Sequence, residues 1–505
     1  MMRTLRMLAV LFVLAATAKA AEQPVRPNQS DRPNIVLILC DDLGYGDVSY
    51  LNPKYGKIQT PHIDRLAQSG MTFTDAHSGS SVCTPTRYGL LTGRYSWRTR
   101  LQSGVVTGFA PSLISKDRPT LASFLKSNGY HTACIGKWHL NFIYQDADSG
   151  KVLKKKDHRL PPIGSSIPDG PVDRGFDHFH GFHHAREMEA VIENRKVIEH
   201  DAVENMLPRL TQKAVDYIHQ RASARSPFFL YLPLGSPHTP IVPTEAWKGK
   251  SGLGDYADFV MQTDDTVGQV LNALKKNHLT QNTLILFSSD NGCSKAANID
   301  ALTEQGHWVS AGMRGSKADI WDGGHRVPLL ISWPSHISPH SSCDHLVCLN
   351  DLFATLADAI GAPVPSQSCE DSLSFFQALK NPTANSARTT LIHHSISGHF
   401  AFRNKAWKLI LAKGSAGWTS PKEHQVPEGT SGIQLYDLKQ DYAEENNLHS
   451  AKPELVNQLI EQLKKQIQNG RTTEGEDSYN DIETIKLWKS GTPDRSTPMI
   501  RSQGY

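Results

Sequence analysis

Long hydrophobic runs are scarce in this sequence. After residue 20, no stretch stays apolar over the roughly 20 residues that a membrane-spanning helix needs, so we expect no membrane span. Excess charge is also lacking: 53 Lys and Arg stand against 50 Asp and Glu, and Arg3, Arg6 and Lys19 account for the difference. Because nucleic-acid binders need a basic surface, this balance excludes nucleic acid as a partner.

The N-terminus is the one markedly apolar segment. Arg3 and Arg6 precede an apolar run from Met7 to Ala16, and the small residues of Ala18-Lys19-Ala20 follow it. This order is typical of a secretory signal peptide. A membrane anchor is the alternative, but the run is only about half as long as a bilayer span. We therefore predict a signal peptide over residues 1–20 and export to the periplasm or the cell exterior.

Cysteine is sparse, and its number is odd. The seven cysteines are Cys40, Cys83, Cys134, Cys293, Cys343, Cys348 and Cys369. An exported chain permits disulfides, and an odd number leaves one thiol over, which we assign to Cys83. The last three lie close together in the sequence, so we expect a disulfide among them. The remaining three lie beside apolar runs and are expected to be buried thiols.

Short apolar runs that end abruptly in polar residues indicate the fold. The clearest are Asn34–Leu39, Phe228–Leu232 and Leu284–Phe287. Such runs are typical of parallel strands that are buried on both faces. The helical candidates between them are Thr60–Ser69, Thr120–Asn128, Leu210–Ala222 and Tyr256–Lys276. This alternation predicts an α/β fold, in which ligands bind at the carboxyl ends of the strands.

The pattern changes at about residue 386. Three strand-like segments and one amphipathic helical segment follow, at His399–Arg403, Trp407–Ala412, Gln434–Leu438 and Pro453–Ile467. We therefore predict a main domain over residues 31–385 and a small sheet-plus-helix subdomain over residues 386–470. Residues 471–505 are polar and lack periodicity, which predicts a loosely ordered tail.

The strongest chemical signal is C-T-P-T-R from Cys83 to Arg87, followed by L-T-G-R from Leu91 to Arg94. Taken alone, a cysteine beside a turn proline also fits a buried structural thiol. The two motifs together resemble the signature of type I sulfatases of the arylsulfatase type, in the alkaline phosphatase superfamily. In that family the cysteine of a C-x-P-x-R core is oxidised to formylglycine. The resemblance implies this modification at Cys83 and, as a partner, a formylglycine-generating or equivalent maturase.

Two pairs of residues with carboxylate or amide side chains, Asp41-Asp42 and Asp290-Asn291, each follow a strand-like run. By themselves such pairs are common in turns. In their order around Cys83 they resemble the metal ligands of the family, and a hard divalent cation needs such oxygen ligands. The resemblance implies a Ca²⁺ site, with Mg²⁺ as the alternative, formed by Asp41, Asp42, Asp290, Asn291 and an oxygen of the modified Cys83.

Three further blocks match the family: G-K-W-H at Gly136–His139, S-P-H-T-P at Ser236–Pro240 and G-S-K at Gly315–Lys317. A sulfate ester requires positive charge and donors aimed at its developing charge. The catalytic residues that the resemblance implies are Cys83, Arg87, Lys137, His139, His238 and Lys317.

The roles follow the same resemblance. Arg87 and the metal favour the ionised nucleophile, whereas Lys137 and Lys317 hold the sulfate oxygens. His238, with Lys317, protonates the departing alcohol, and His139 is the base that restores the aldehyde.

The resemblance spans about Asn34 to Ala362 and continues more weakly to Asn447. It implies an alkaline-phosphatase-like fold, with a central mixed, mostly parallel sheet flanked by helices and a smaller C-terminal antiparallel sheet-plus-helix subdomain. It also implies hydrolysis of an aryl sulfate or, physiologically, a carbohydrate sulfate. The alternatives are a phosphonate or phosphate ester hydrolase of the same superfamily and an inactive, secreted sulfate-binding protein.

Three segments bear on the choice of substrate. The loops Gln145–Asp173 and Lys295–Trp308 are expected to select the sugar and the sulfated position. The histidine-rich segment Asp177–His184 fits either a second metal site or, through His183 or His184, the lining of the pocket.

Overall fold

A computed structural model describes residues 32–365, 367–489 and 500–501. The predicted signal peptide and most of the last 16 residues lie outside these ranges. Within the described part of the chain, no helix combines the length and the apolar character needed to cross a membrane.

The strands of the described residues are β1 (Asn34–Asp41), β2 (Met71–Phe73), β3 (Ala76–His77), β4 (His131–Lys137), β5 (His178–Phe182), β6 (Ala190–Glu193), β7 (Lys196–His200), β8 (Phe228–Pro237), β9 (Thr283–Ser289), β10 (Leu329–Ser332), β11 (Ser341–Cys343), β12 (Val347–Cys348), β13 (Thr390–His394), β14 (Phe400–Asn404), β15 (Trp407–Ile410), β16 (Gln434–Asp437), β17 (Thr484–Ile485) and β18 (Ile500–Arg501). The α-helices there are α1 (Pro61–Gln68), α2 (Cys83–Thr92), α3 (Leu121–Ser127), α4 (Met206–Arg221), α5 (Asp255–Lys276), α6 (Ile299–Glu304), α7 (Asp322–His325), α8 (Leu352–Ala359), α9 (Phe376–Lys380) and α10 (Pro453–Gln468).

The main sheet contains ten strands in the order β11-β2-β10-β9-β1-β8-β4-β5-β6-β7. At its centre, β1 lies parallel to both β8 and β9, and β4 lies parallel to β8 and β5. Towards the edges, β10 is antiparallel to β9, and β6 is antiparallel to β5 and β7. The predicted mixed, mostly parallel sheet is therefore confirmed.

Both faces of the central strand β1 are buried, because its side chains alternate between two cores. Leu37 and Leu39 pack in a core with residues of α2, α3 and α8. Val36 and Ile38 pack in a second core with residues of α1, α4 and α5 on the other face. Each fully buried side chain of this kind contributes about 1.5–3 kcal/mol, so the continuous apolar run is the expected sequence of such a strand.

The predicted helices are confirmed as α1, α3, α4 and α5, with boundaries that differ by at most four residues. Strands β5, β6 and β7, which extend the sheet from His178 to His200, were not predicted from the sequence. The sequence of β5, H-F-H-G-F, carries no β-branched residue. It is a strand because it pairs with β4 over five residues, a tertiary contact that outweighs its local preference.

A separate antiparallel sheet, β13-β14-β15-β16, forms the core of the C-terminal subdomain. Helix α10 packs on it through Leu459, Leu463 and Ile467, in a third core that also contains Trp97 of the main domain. The three predicted strand segments correspond to β14, β15 and β16, and the predicted helix corresponds to α10. Strand β13 is an addition.

The prediction of a loosely ordered tail is wrong for its first part, up to residue 489. Ile485 and Leu487 are buried in the third core. Asn480 accepts a hydrogen bond from Arg98 of the main domain, with an Nη1–Oδ1 distance of 2.9 Å. A mostly polar segment is thus held by two apolar side chains and by hydrogen bonds to distant residues, which no local pattern reveals.

The predicted disulfide among the three C-terminal cysteines is also wrong, since all seven cysteines are free thiols. Cys343 ends β11, which pairs with β2, whereas Cys348 ends β12, which pairs with β3. Cys369 packs beside Gly93, a residue that is distant from it in the sequence. Proximity in sequence therefore does not bring these sulfur atoms together. Burial of Cys40, Cys134 and Cys293 is confirmed.

A buried ion pair connects the single helical turn Ser96–Arg98 to the turn at Asp371. Arg98 donates two hydrogen bonds of 2.8 Å to the Asp371 carboxylate, and both side chains are 0% exposed. Asp371→Ala leaves the guanidinium buried without its counter-ion, so we expect a loss of about 3–5 kcal/mol in the free energy of unfolding, measured by urea denaturation. Glu461→Ala, which removes an exposed pair with Lys464, is the control and should cost far less. Equal losses in the free energy of unfolding for the two variants would contradict a larger contribution from the buried ion pair than from the exposed one.

Candidate active site

Four neighbouring parallel strands end at the same edge of the main sheet. Strand β1 ends at Asp41, β4 ends at Lys137, Asp290 directly follows β9, and His238 directly follows β8. The carboxyl ends of parallel strands meet at one edge, so these polar side chains converge there. Helix α2 adds Cys83, its first residue, to the same place.

Cys83 lies at the floor of a cavity of about 850 Å³. The loop before it is held by the Thr86 hydroxyl, which donates to the carbonyls of Ser80 and Val82 at 3.2 Å. The thiol is 3% exposed, and burial raises its pKa to about 11. Since the thiolate is the nucleophilic form, an unmodified Cys83 would be a weak nucleophile at neutral pH.

Arg87 lies one helical turn after Cys83 and is fully buried. Its Nε and Nη2 donate to the same Asp290 oxygen, Oδ2, at 3.0 and 2.8 Å, and its Nη1 donates to the Lys137 carbonyl at 2.9 Å. Arg87 therefore holds two of the converging strand ends and leaves the other Asp290 oxygen facing Asp42, whose N–H approaches it at 3.3 Å.

Two lysines pair with the two carboxylates at the carboxyl end of β1, Asp41 and Asp42. Lys317 lies 2.6 and 2.8 Å from the two oxygens of Asp42, and Lys137 contacts Asp41. Burial, the largest single effect, would raise the pKa of Asp41, but the combined positive charges of Lys137, His238, Arg87 and Lys317 hold this pKa well below its usual range. The site thus combines buried anionic ligands with buried cations.

Oxygen atoms without partners mark a place for a divalent cation. Asp41 Oδ1 and Asn291 Oδ1 are buried and accept no hydrogen bond from the described residues. Ligand atoms of Asp41, Cys83 and Asp290 lie within 4.8 Å of one another. Buried acceptors left unsatisfied are costly, and an oxygen-rich set of this kind suits a hard cation. The residues present therefore fit the metal that the sequence implied.

Two histidines face this centre with defined ring nitrogens. His139 adopts a left-handed backbone with φ 57°, and its Nε2–H donates to the Val106 carbonyl at 3.0 Å. Its Nδ1 is left buried without a hydrogen-bond partner among the described residues, so it is free to accept a proton. His238 Nδ1 donates to the Thr239 carbonyl at 2.5 Å, and its Nε2 lies 3.7 Å from Asp42 Oδ2.

The histidine-rich segment lines the cavity instead of forming a metal-ligand group of its own among the described residues. His184 is part of the cavity wall, and His183 lies behind it, where its Nε2 accepts a hydrogen bond from the Asn141 N–H at 3.0 Å. His180 is on β5 and contacts Glu193. Of the two predicted specificity loops, only Lys295–Trp308 contributes residues to the wall of this cavity.

Arg186 and Trp418 also line the cavity and were missed by sequence reasoning. Trp418 belongs to the C-terminal subdomain, in the loop after β15, 101 residues beyond Lys317 in the chain. Its N–H donates to Asp319 Oδ1 at 2.8 Å, which holds the loop over the site. A lone tryptophan in a polar loop gives no signal that it reaches an active site.

A family model for sulfatases matches residues 33–362. The chain belongs to the sulfatase family. A second model, described as the C-terminal part of N-sulphoglucosamine sulphohydrolase, matches residues 316–473. This sulfatase is therefore an enzyme that hydrolyses sulfate esters, and neither the phosphonate hydrolase nor the inactive binding protein is favoured.

Curated relatives cover most of the chain. An N-acetylgalactosamine-6-O-sulfatase of Bacteroides thetaiotaomicron is 31% identical over 86% of this chain and 93% of its own length. Arylsulfatase A of Bos taurus is 31% identical over 86% of each.

Solved structures agree with these relatives. One from a study of the metabolism of multiple glycosaminoglycans by Bacteroides thetaiotaomicron superposes with a TM-score of 0.75 at 28% identity, covering 86% of this chain and 99% of the other. Another, in complex with a neocarrahexaose, has a TM-score of 0.67 at 26% identity, over 88% and 95%. The predicted alkaline-phosphatase-like fold is confirmed.

Proposed function

We propose that this sulfatase is an exported enzyme that removes sulfate from carbohydrates, with a formylglycine made from Cys83 and a bound Ca²⁺. One observation carries the proposal: Cys83 begins α2 at the point where Asp41 and Asp290 converge, with ligand atoms within 4.8 Å of one another at the floor of an open cavity. A nucleophile, a cation site and a substrate cavity thus coincide.

The metal ligands that we assign are Asp41, Asp42, Asp290, Asn291 and an oxygen of the modified Cys83. Four carboxylate or amide side chains favour Ca²⁺ over Mg²⁺, since Mg²⁺ usually keeps several waters. When bound, the cation polarises oxygen atoms of the nucleophile and the sulfate, an effect worth several kcal/mol. The hydrated aldehyde supplies two hydroxyls on one carbon, one to attack sulfur and one to expel the sulfate.

The remaining side chains supply charge and move protons. Lys137 and Lys317 are buried cations beside Cys83 and hold the sulfate oxygens. Arg87 fixes Asp290 and adds positive charge below the nucleophile. His238 protonates the departing alcohol from its Nε2, and the unpartnered Nδ1 of His139 takes the proton whose removal restores the aldehyde.

A carbohydrate substrate is supported by the shape of the site and by the relatives. The cavity of about 850 Å³ is open to solvent and larger than a single sulfate group requires. One relative is named an N-acetylgalactosamine-6-O-sulfatase, and one similar structure is a complex with a neocarrahexaose. Export is supported by the pattern of residues 1–20, which suits an extracellular polysaccharide substrate.

The test is a panel of defined, singly sulfated saccharides, with 4-nitrophenyl sulfate as a reference substrate and inorganic sulfate measured by ion chromatography. We expect at least one saccharide to be hydrolysed with a higher kcat/KM than the aryl ester. Turnover of the aryl ester alone, across a panel that varies both sugar and sulfated position, would overturn the carbohydrate assignment.

The proposed role of His238 predicts a dependence on the leaving group. General-acid help matters most for a poor leaving group, so His238→Ala should lower kcat/KM for a sugar sulfate by about 10²–10⁴-fold and affect 4-nitrophenyl sulfate much less. His278→Ala is the control, since this residue lies in the turn between α5 and β9, at the amino-terminal end of β9 and away from the carboxyl ends that carry the site. If both substrates slowed by equal factors, His238 would only bind sulfate.

A further inference from the structure

The cavity above Cys83 carries more positive charge than one sulfate ester needs. Its lining includes three cationic side chains, Lys317, Arg186 and Lys295, and no Asp or Glu of the described residues lines it. Lys317 is already engaged with Asp42. Arg186 and Lys295 are exposed, and neither side chain makes a hydrogen bond or an ion pair with any described residue. Two cationic side chains without a hydrogen-bonded or ion-paired partner among the described residues therefore line the cavity.

Lys295 is held beside the sulfate-binding lysine by Trp418. The Lys295 ammonium lies 5.4 Å from the centre of the Trp418 ring, and the Lys317 ammonium lies 5.9 Å from the same ring. Cation–π contacts of this kind restrict a flexible lysine. The Trp418 loop is in turn tied to Asp319, two residues after Lys317. A free positive charge is thus positioned next to the reacting group.

Arg186 stands on the cavity wall without a neutralising neighbour. It lies in a single helical turn, Ala185–Glu187, directly after His184. The adjacent Glu187 points inward, where it is fully buried and pairs with Lys155 at 2.8 Å. The carboxylate nearest to Arg186 along the chain is therefore paired with Lys155 and does not neutralise the Arg186 guanidinium, which lines the cavity.

We propose that Arg186 and Lys295 form a second anion subsite, which binds a further anionic group on the same carbohydrate, a carboxylate or a second sulfate. The inference rests on the carbohydrate substrate proposed above. Guanidinium and ammonium groups form strong charge-assisted hydrogen bonds with both anions. A wall of one charge sign also concentrates anionic substrates at the site. The substrate is accordingly a polyanionic saccharide, not a neutral sugar with one sulfate.

The test compares three matched disaccharides that carry the same scissile sulfate. The first has a uronic acid carboxylate on the neighbouring sugar, the second has that carboxylate reduced to an alcohol, and the third carries a sulfate ester on that alcohol. We expect kcat/KM to be at least about tenfold higher for an anionic than for the neutral disaccharide, since one charged contact is worth roughly that factor. The first and third substrates identify which anion is preferred.

The double variant Arg186→Gln/Lys295→Gln is expected to bring the anionic-to-neutral ratio of kcat/KM close to one. Using the ratio cancels any general loss of activity. Lys276→Gln, at the end of α5 on the opposite edge of the sheet, should keep the wild-type ratio. Raising the ionic strength should lower the ratio for the wild type but not for the double variant, because salt screens exposed charges.

Trp418 is a positioning residue in this proposal. Trp418→Phe keeps an aromatic face beside Lys295 and should preserve most of the preference for the anionic disaccharide. Trp418→Ala should lose part of it through a higher KM, with kcat little changed.

Three outcomes would overturn the subsite, and they are distinguishable from one another. Hydrolysis of all three disaccharides at equal kcat/KM, or an unchanged ratio in the double variant, would exclude the subsite and leave the carbohydrate substrate standing. Hydrolysis of 4-nitrophenyl sulfate without any disaccharide would overturn the carbohydrate substrate, and the subsite with it.

Discussion

Cys83→Ala is expected to lower kcat/KM for sulfate esters by at least about 10⁴-fold, because it removes the proposed nucleophile of the reaction. The side chain is buried at the floor of the cavity, beside Asp41 and Asp290. The substitution therefore also removes one proposed ligand of the cation. Loss of the nucleophile and of a ligand in one step makes this the largest effect that we predict for a single substitution.

Two controls separate chemistry from folding. Cys83→Ser keeps the approximate size of the side chain and offers one hydroxyl. It lacks the second hydroxyl that the hydrated formylglycine would use to expel sulfate, so steady-state turnover should be lost as well. Cys343→Ala, on β11 away from the cavity, should retain activity.

Mass spectrometry of the peptide that contains residue 83 tests the modification directly. We expect the mass of an aldehyde when a maturase is present. A fully active preparation whose residue 83 is entirely an unmodified thiol would contradict the mechanism.

Removal of the divalent cation is expected to lower the turnover rate by at least about 10³-fold, and addition of Ca²⁺ is expected to restore it. The cation supplies several kcal/mol of charge stabilisation, and each 1.36 kcal/mol corresponds to a tenfold change in rate. Asp41 Oδ1 and Asn291 Oδ1 are buried acceptors that a bound cation would satisfy. Ca²⁺ should therefore also raise Tm, since it binds the folded chain.

Asn291 offers a matched pair of variants for the same prediction. Asn291→Leu keeps the approximate volume but removes the oxygen, and we expect weaker Ca²⁺ binding, seen as a smaller Ca²⁺-dependent rise in Tm. Asn291→Asp keeps an oxygen at this position and should retain binding. Undiminished activity in a preparation that elemental analysis shows to be free of metal would refute the assignment of this site.

The α/β fold and the centre of the sheet were predictable because their signals are local. Asn34–Leu39, Phe228–Leu232 and Leu284–Phe287 are apolar throughout, as strands covered on both faces must be, and they became β1, β8 and β9. The polar residues after these strands meet because parallel strands share one edge. Convergence of Asp41, Asp290 and His238 follows from that topology.

Other features depended on contacts between distant parts of the chain. Strands β5 to β7 exist because β4 offers an edge for pairing, and the first part of the predicted tail is ordered because Ile485 and Leu487 find a core. The same holds for the cysteines: their spacing suggested a disulfide, but the positions of their sulfur atoms depend on which strands pair.

The sequence by itself determined the fold class, the proposed nucleophile and the proposed metal ligands, since each is encoded in a short motif or in a run of buried residues. Only the tertiary structure decided what surrounds the substrate. Arg186, Lys295 and Trp418 come from three separate segments, and Trp418 reaches the cavity only because Asp319 holds its loop there. A cavity wall is a property of the packing between segments, so no local pattern in any one of them specifies it.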